Sequence, residues 1–241
     1  MTKKGSPAHN REILLYTIND LFMLWRKKYN LSELQDIINL VKIERYETRI
    51  AIIDDQNIAL IPRIKKHNFN ITHFKDIENI DDLLRFKIII CDIQGVGKKL
   101  GSKFEGAHLI SEIKREYPLK YVIAFSGKSF DPTYNKFFKL CDDVMQKGSD
   151  INDWVNCLDL AISNYLDPIY NWESARKTLL EYNISLDEIS KLEQAFIKTL
   201  LRKDISIYNK LIKKNQTSYS NAVSTVSAIG TYLSFIHSLI S

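Results

Sequence analysis

The chain has 241 residues, of which 45% are hydrophobic and 26% charged, a balance that suits a folded globular protein and excludes intrinsic disorder. Its net charge of +5 is spread along the chain: 8 basic and 6 acidic groups over 1–47, 17 and 16 over 48–166, 9 and 7 over 167–241. No block is basic enough to imply a nucleic-acid partner by itself. Three cysteines form no paired framework, as expected of a reducing cytosol, and the five histidines show no metal-ligand spacing. Residues 1–10 are polar and lack the apolar core of a signal peptide.

In chain order, Leu14, Ile18, Leu21, Phe22 and Trp25 fall on one face of a predicted helix over 11–28. Ser32 reads as the N-cap of a second helix, with Gln35 completing a capping box and Leu34, Ile37, Ile38 and Val41 as its apolar stripe. Residues 48–166 then alternate. Strands are predicted over 49–54, 70–74, 86–92, 121–126 and 142–146, and helices over 57–67, 79–85, 106–116, 132–140 and 150–165. The near-continuous Ile/Val runs, such as Ile50 to Ile53 and Ile88 to Cys91, are the mark of parallel strands buried on both faces. Joined by right-handed crossovers, five such units give an α/β fold, a doubly wound sheet with helices on both sides.

Residues 168–241 carry no strand signal. A helix is predicted over 172–182, and Ser185 with Glu188 caps another, whose buried stripe is Ile189, Leu192, Phe196 and Leu200. Residues 215–241 hold no formal charge. Within them 222–240 is almost long enough to cross a bilayer, which takes about 20 residues. Its seven Ser, Thr and His residues favour a buried or interfacial helix in a soluble bundle over a tail anchor. Gly230, Ser234 and Ser238 have the small-xxx-small spacing that permits close helix packing. Three regions are expected: an N-terminal helical hairpin over 1–47, an α/β domain over 48–166 and an all-helical region over 167–241.

The chemistry gathers at the strand ends. Asp54 and Asp55, Asp92, Ser126 and Lys147 each follow an apolar run, and in an open α/β sheet functional groups lie outside the carboxyl ends of the strands. Three carboxylates in a small volume raise one another's pKa unless a cation joins them, and Mg²⁺ favours such hard oxygens. A carboxylate can also attack a phosphoryl group to give an acyl phosphate. A hydroxyl and an ammonium from the next strands could hold the transferred oxygens. The plainer reading of Asp54 and Asp55, a cap for the next helix, leaves the step of Asp92 and Lys147 unexplained. Asp142 and Asp143 precede their strand and read as a solvated turn, and Lys98, Lys99 and Lys103 as a solvated loop.

These residues make 48–166 resemble a receiver domain of the two-component response-regulator family. The matching pieces are RIAIIDDQ (49–56), IIICDIQ (88–94), EGAHLISEIKREYP (105–118), FSG (125–127) and MQK (145–147). The resemblance covers about half the chain and implies the flavodoxin-like strand order 2-1-3-4-5. It implies Asp92 as phosphoacceptor, with Asp54, Asp55, Asp92 and the Gln94 backbone carbonyl holding Mg²⁺. Ser126 becomes the switch hydroxyl and Lys147 the phosphate-binding lysine. Such a protein is no enzyme in the ordinary sense. It catalyses its own phosphorylation and dephosphorylation and draws on a histidine kinase or other phosphodonor. The chain departs from the family in three places: the long loop GVGKKLGSK (95–103), Gly148 where a proline is usual, and Val144 in the place of the aromatic switch residue.

A C-terminal DNA-binding domain is the natural competitor for the output region, and the turn over 182–185 superficially suits a helix-turn-helix. The following helix begins Leu186-Asp187-Glu188-Ile189, with Glu193 further on. Acidic residues there repel phosphates and cannot read guanine. The expectation is a cytoplasmic, Mg²⁺-dependent phosphoacceptor whose helical region dimerises or docks a protein partner, without nucleic acid or membrane. The alternatives are a receiver-derived scaffold that works without phosphorylation, a DNA-binding regulator and a membrane-tethered signalling protein.

Overall fold

A computed structural model describes residues 28–101, 104–127 and 135–241. The helix expected over 11–28 lies, but for Lys28, outside them. Five parallel strands pair in the order β2-β1-β3-β4-β5: β1 Arg49–Ile53, β2 Asn70–Phe74, β3 Ile88–Asp92, β4 Tyr121–Ser126 and β5 Asp143–Gln146. This is the flavodoxin-like order. The helices, again in chain order, are α1 Gln35–Leu40, α2 Ile61–Lys66, α3 Glu105–Glu116, α4 Asn135–Phe138, α5 Ile151–Leu166, α6 Pro168–Glu181, α7 Leu186–Arg202, α8 Ser206–Lys214 and α9 Val223–Ile240.

Strand side chains alternate between the two faces. Ile50, Ile52, Ile88, Ile90, Ile123 and Phe125 pack with Trp154, Leu158 and Ala161 of α5. Ala51, Ile53, Ile89, Cys91, Val122 and Ala124 pack with Leu109, Ile110 and Ile113 of α3. Because both faces are covered, the three central strands β1, β3 and β4 are apolar at nearly every position, whereas the edge strands β2 and β5 carry polar residues. A third cluster belongs to the helical region, where Trp172, Leu179, Leu192, Phe196, Tyr208, Ile229 and Leu233 meet Leu34 and Ile37 from the N-terminal side. Val226, Ile229, Leu233, Ile236 and Ile240 turn the buried face of α9 into this cluster. By length and composition alone, the segment Gln216–Ile240 could also cross a membrane.

Four local expectations change. The first turn near the N-terminus is capped at Asn30, not Ser32: the Glu33 carboxylate accepts the Asn30 N–H at 2.9 Å and a 3-10 turn, Leu31–Leu34, precedes α1. The helix expected over 57–67 starts only at Ile61, because Pro62 is tolerated in a first turn and not in an interior. Residues 79–85 make a 3-10 turn, Ile80–Leu83, capped by Asn79. Asp142 is not solvated: its carboxylate accepts Lys114 at 2.5 Å, the Val122 N–H at 2.7 Å and the Tyr170 hydroxyl at 3.1 Å.

The Asp142 side chain is 11% exposed and that of Lys114 13%, so removing one partner strands a buried charge. Asp142→Ala should cost about 3–5 kcal/mol in urea denaturation. A loss below about 1 kcal/mol would mean that water screens the pair as it does on a surface.

Candidate functional site

Parallel register brings the functional residues to one edge. Ile53 pairs with Cys91, Asp92 with Phe125, and Ser126 with Gln146. The Asp54 N–H donates to the Phe74 carbonyl at 3.0 Å and the Lys147 N–H to the Ser126 carbonyl at 2.7 Å, so the ladder holds each residue just past its strand end. Asp54, Asp55 and Asp92 thereby present carboxylate oxygens all within 4.8 Å of one another. Asp54 and Asp92 are 1% and 4% exposed, and Asp55 faces solvent.

The two buried carboxylates are held alike. In each, one oxygen accepts a backbone N–H two residues on: Gln56 to Asp54 Oδ1 at 2.8 Å, Gln94 to Asp92 Oδ1 at 3.2 Å. In each, Oδ2 faces the Lys147 ammonium, at 3.0 Å for Asp54 and 2.5 Å for Asp92. Asp54 thus closes a local turn on the Gln56 N–H and points its other oxygen at the shared hollow, but it caps no helix: α2 begins only at Ile61, behind Leu60. Burial raises the Asp92 carboxyl above the usual carboxylate range, while the hydrogen bonds from Lys147 and Gln94 pull it back. Burial works against the Lys147 ammonium too, but its bonds to Asp92 and Asp54 prevail and raise it.

Lys147 reaches the hollow because the chain reverses at once behind it. Gly148 has φ +102°, a conformation side chains rarely adopt, and the Ser149 N–H closes the turn on the Gln146 carbonyl at 3.2 Å. Val144 is 42% exposed, so no buried side chain stands in the place of the aromatic switch residue. Ser126 ends β4 with its Oγ on the Gly127 carbonyl at 3.4 Å, and among the described residues it hydrogen-bonds none of the three carboxylates. The Gln94 side chain is exposed, and what is fixed at this position is its N–H on Asp92.

Residues without an assigned role turn out to build the wall of the site. A Cβ on Gly106 would lie 1.8 Å from the Asp92 carbonyl oxygen, so α3 can start there only with glycine. A Cβ on Gly95 would come within 2.7 Å of the Asp55 carboxylate. The Gly95 N–H donates to Glu105 at 2.5 Å and the Gly97 N–H to Asp76 at 2.6 Å, which pins the glycine-rich loop beside the hollow. Lys99 pairs with Glu78 on the outside and Lys98 faces solvent, as a solvated loop requires. Among the described residues, three carboxylates face one ammonium and leave net negative charge among hard oxygens, the donor set a divalent cation such as Mg²⁺ takes.

No protein-family model matches the chain, and no curated protein matches it. Solved structures do. A CheY-like response regulator receiver domain protein from Methanospirillum hungatei JF-1 is 16% identical with TM-score 0.39, over 49% of this chain and 95% of that one. NtrX from Brucella abortus is 19% identical with TM-score 0.40, over 48% of this chain and 27% of its own. Full-length FixJ from B. japonicum is 17% identical with TM-score 0.42, over 78% and 98%. What the fold itself has is the flavodoxin-like strand order, β2-β1-β3-β4-β5, with helices on both faces.

A raised Asp92 pKa means that ionising this group costs stability. The penalty builds between the ordinary carboxylate value, near ~3.9, and the raised one, and is fully present above it. In EDTA at neutral pH, Asp92→Asn should therefore melt about 2–4 °C above wild type, with the gap closing as the pH falls. Saturating Mg²⁺ should reverse the order. A variant that melts below wild type in EDTA would contradict the assignment of a strained, anionic hollow.

Proposed function

We propose that this protein accepts a phosphoryl group on Asp92 in a Mg²⁺-dependent reaction and passes the signal to its helical region. The observation that carries the reading is the hollow itself: three carboxylates within 4.8 Å, two of them buried, bridged by the single Lys147 ammonium. Asp54, Asp55 and Asp92, with the Gln94 carbonyl as the further ligand the receiver resemblance implies, would hold the cation. When bound, it neutralises the carboxylates and the phosphoryl oxygens, whose repulsion otherwise keeps an anionic donor away.

An Asp92 carboxylate oxygen attacks phosphorus in line, and one new P–O bond forms as the donor's bond to phosphorus breaks. The leaving group departs with the electron pair. The product is an acyl phosphate, and attack of water at phosphorus later releases inorganic phosphate and restores the carboxylate. Lys147 transfers its hydrogen bond from Asp92 to an incoming phosphoryl oxygen, and Ser126 reaches the same oxygens by moving its own loop. The phosphodonor is a histidine kinase or a small acyl phosphate.

Output through protein contacts, rather than DNA, fits the placement of α7. Ile189, Leu192, Phe196 and Leu200 bury it in the helical core, Glu188 is taken by Lys191 and Tyr219, and Glu193 accepts the Trp172 indole at 2.7 Å. The free cysteines Cys91, Cys141 and Cys157 fit a reducing cytoplasm.

Intact-mass analysis after incubation with acetyl phosphate and Mg²⁺ should find one added phosphoryl group in wild type. It should be absent in Asp92→Asn and in EDTA, and slowed about a hundredfold in Lys147→Met. Identical lack of modification in wild type and Asp92→Asn, with no response of either to beryllofluoride, rejects the reading in favour of a phosphorylation-independent scaffold.

A further inference from the structure

The end of the sheet opposite the carboxylates carries a second cluster of charge. Lys87 and Lys120 immediately precede the sheet ladder of β3 and β4: the Lys87 N–H donates to the Arg49 carbonyl, and the Tyr121 N–H to the Lys87 carbonyl. Helix α9 covers this end, with the Lys87 ammonium 4.6 Å from the Phe235 ring and 5.8 Å from that of Tyr165. Between α9 and the sheet lies a cleft of about 450 Å³. Its size falls within the range of small-molecule sites, roughly 300–1,000 Å³.

The charges lining this cleft are not balanced. Lys120 gives its protons to the Leu83, Leu84 and Phe86 carbonyls at 2.9, 2.9 and 2.6 Å, which fixes the ammonium and uses all three of its donors. Lys87 has no carboxylate partner among the described residues and faces only the two rings. Glu116 also lines the cleft, but Arg115 holds it at 3.1 Å. Burial lowers both lysines; Lys120, with Lys87 beside it, falls to about 7, and Arg49 adds to the effect on Lys87. Half-buried cations without an anion are costly, and an anion in the cleft would relieve that cost.

The cleft walls supply the other half of a recognition surface. Leu84 and Val223 leave large apolar side chains 65% and 62% exposed at the cleft, beside the buried Phe86. Ser224 and Ser227 add hydroxyls from α9. We propose that this cleft binds a small organic anion, its carboxylate or phosphate head beside Lys87 and its apolar body against Leu84, Phe86 and Val223. Since sheet and α9 both line the cleft, the ligand contacts the receiver-like and helical regions together. The proposal stands apart from the chemistry at Asp92.

The test is calorimetric titration of the full chain with phenyl phosphate in EDTA, which keeps cations off the distant carboxylates. Saturable binding at one site is expected, with inorganic phosphate and phenol each about tenfold weaker, because each retains one half of the recognition. Lys87→Met should weaken phenyl phosphate about tenfold, Lys87→Arg should restore most of it, and Ser224→Phe, which fills the cleft, should abolish it. Circular dichroism establishes that each variant is folded. Lys147→Met, at the opposite edge of the sheet, should keep the binding. No saturable binding, binding indifferent to Lys87→Met, or binding lost in Lys147→Met would overturn the proposal. So would binding to phosphatidate vesicles alone, which would make this face a membrane contact.

Discussion

Asp54 and Asp92 are two buried carboxylates that share one hollow, and a cation between them offsets the repulsion of their like charges. Lys147 is that cation in the free protein, and its position depends on most of the fold. β5 must pair with β4 in register, Gly148 must turn the chain back, and Gly106 must let α3 start against the Asp92 carbonyl. The net negative charge that Lys147 leaves behind is what the proposed divalent ion, and through it the proposed phosphoryl donor, would draw on.

β5 is one of the two edge strands of the sheet and the shortest strand, four residues long, paired with β4. Such a strand is weakly held by pairing alone, and side chains secure it at both ends. Lys147 ties its exit to Asp54 and Asp92. Asp142 ties its entry to Lys114 of α3 and to Tyr170 of α6. Lys147, the phosphate-binding lysine of the proposed function, and a contact with the helical region therefore lie at opposite ends of one short element. Asn171 strengthens the same junction by donating to the Asn164, Tyr165 and Asp167 carbonyls, where α5 hands over to α6.

The central strands were legible because burial on both faces demands near-unbroken apolar runs, and the site was legible because parallel strands end together. Asp54, Asp55, Asp92 and Lys147 needed no knowledge of side-chain contacts beyond that geometry. Asp142 was not legible: its partners are 28 and 20 residues away, and an acidic pair before a strand looks the same whether water or Lys114 receives it. Gly95 and Gly106 belong to the same class. A glycine-rich loop is visible in the composition, but the demand for glycine comes at Gly95 from a φ of +87° and at Gly106 from the Asp92 carbonyl, which only the fold settles. The short helices failed for local reasons, since Pro62 sets where α2 can begin and Asn79 caps a turn too short to become α-helical.

Helix α9 buries one face in the helical core while its composition remains that of a candidate membrane span. In its uncharged, hydroxyl-rich sequence three hydroxyls are spent on its own backbone: Thr231 donates to the Ser227 carbonyl at 3.1 Å, Ser234 to that of Gly230 at 2.9 Å and Ser238 to that of Phe235 at 2.6 Å. Of the three small residues in step, Gly230 alone meets a neighbour, where a Cβ would lie 3.4 Å from the Tyr208 ring, while Ser234 and Ser238 remain exposed. The charges that α9 lacks come from elsewhere. Lys203 donates to the Ile240 carbonyl at its end, and Lys87 reaches Phe235 from the sheet. Arginine and lysine stems can cover apolar surface while their heads seek water or an anion. A helix that is neutral in sequence thus sits in a cationic setting, and the cleft beside it takes its polarity from the sheet rather than from α9.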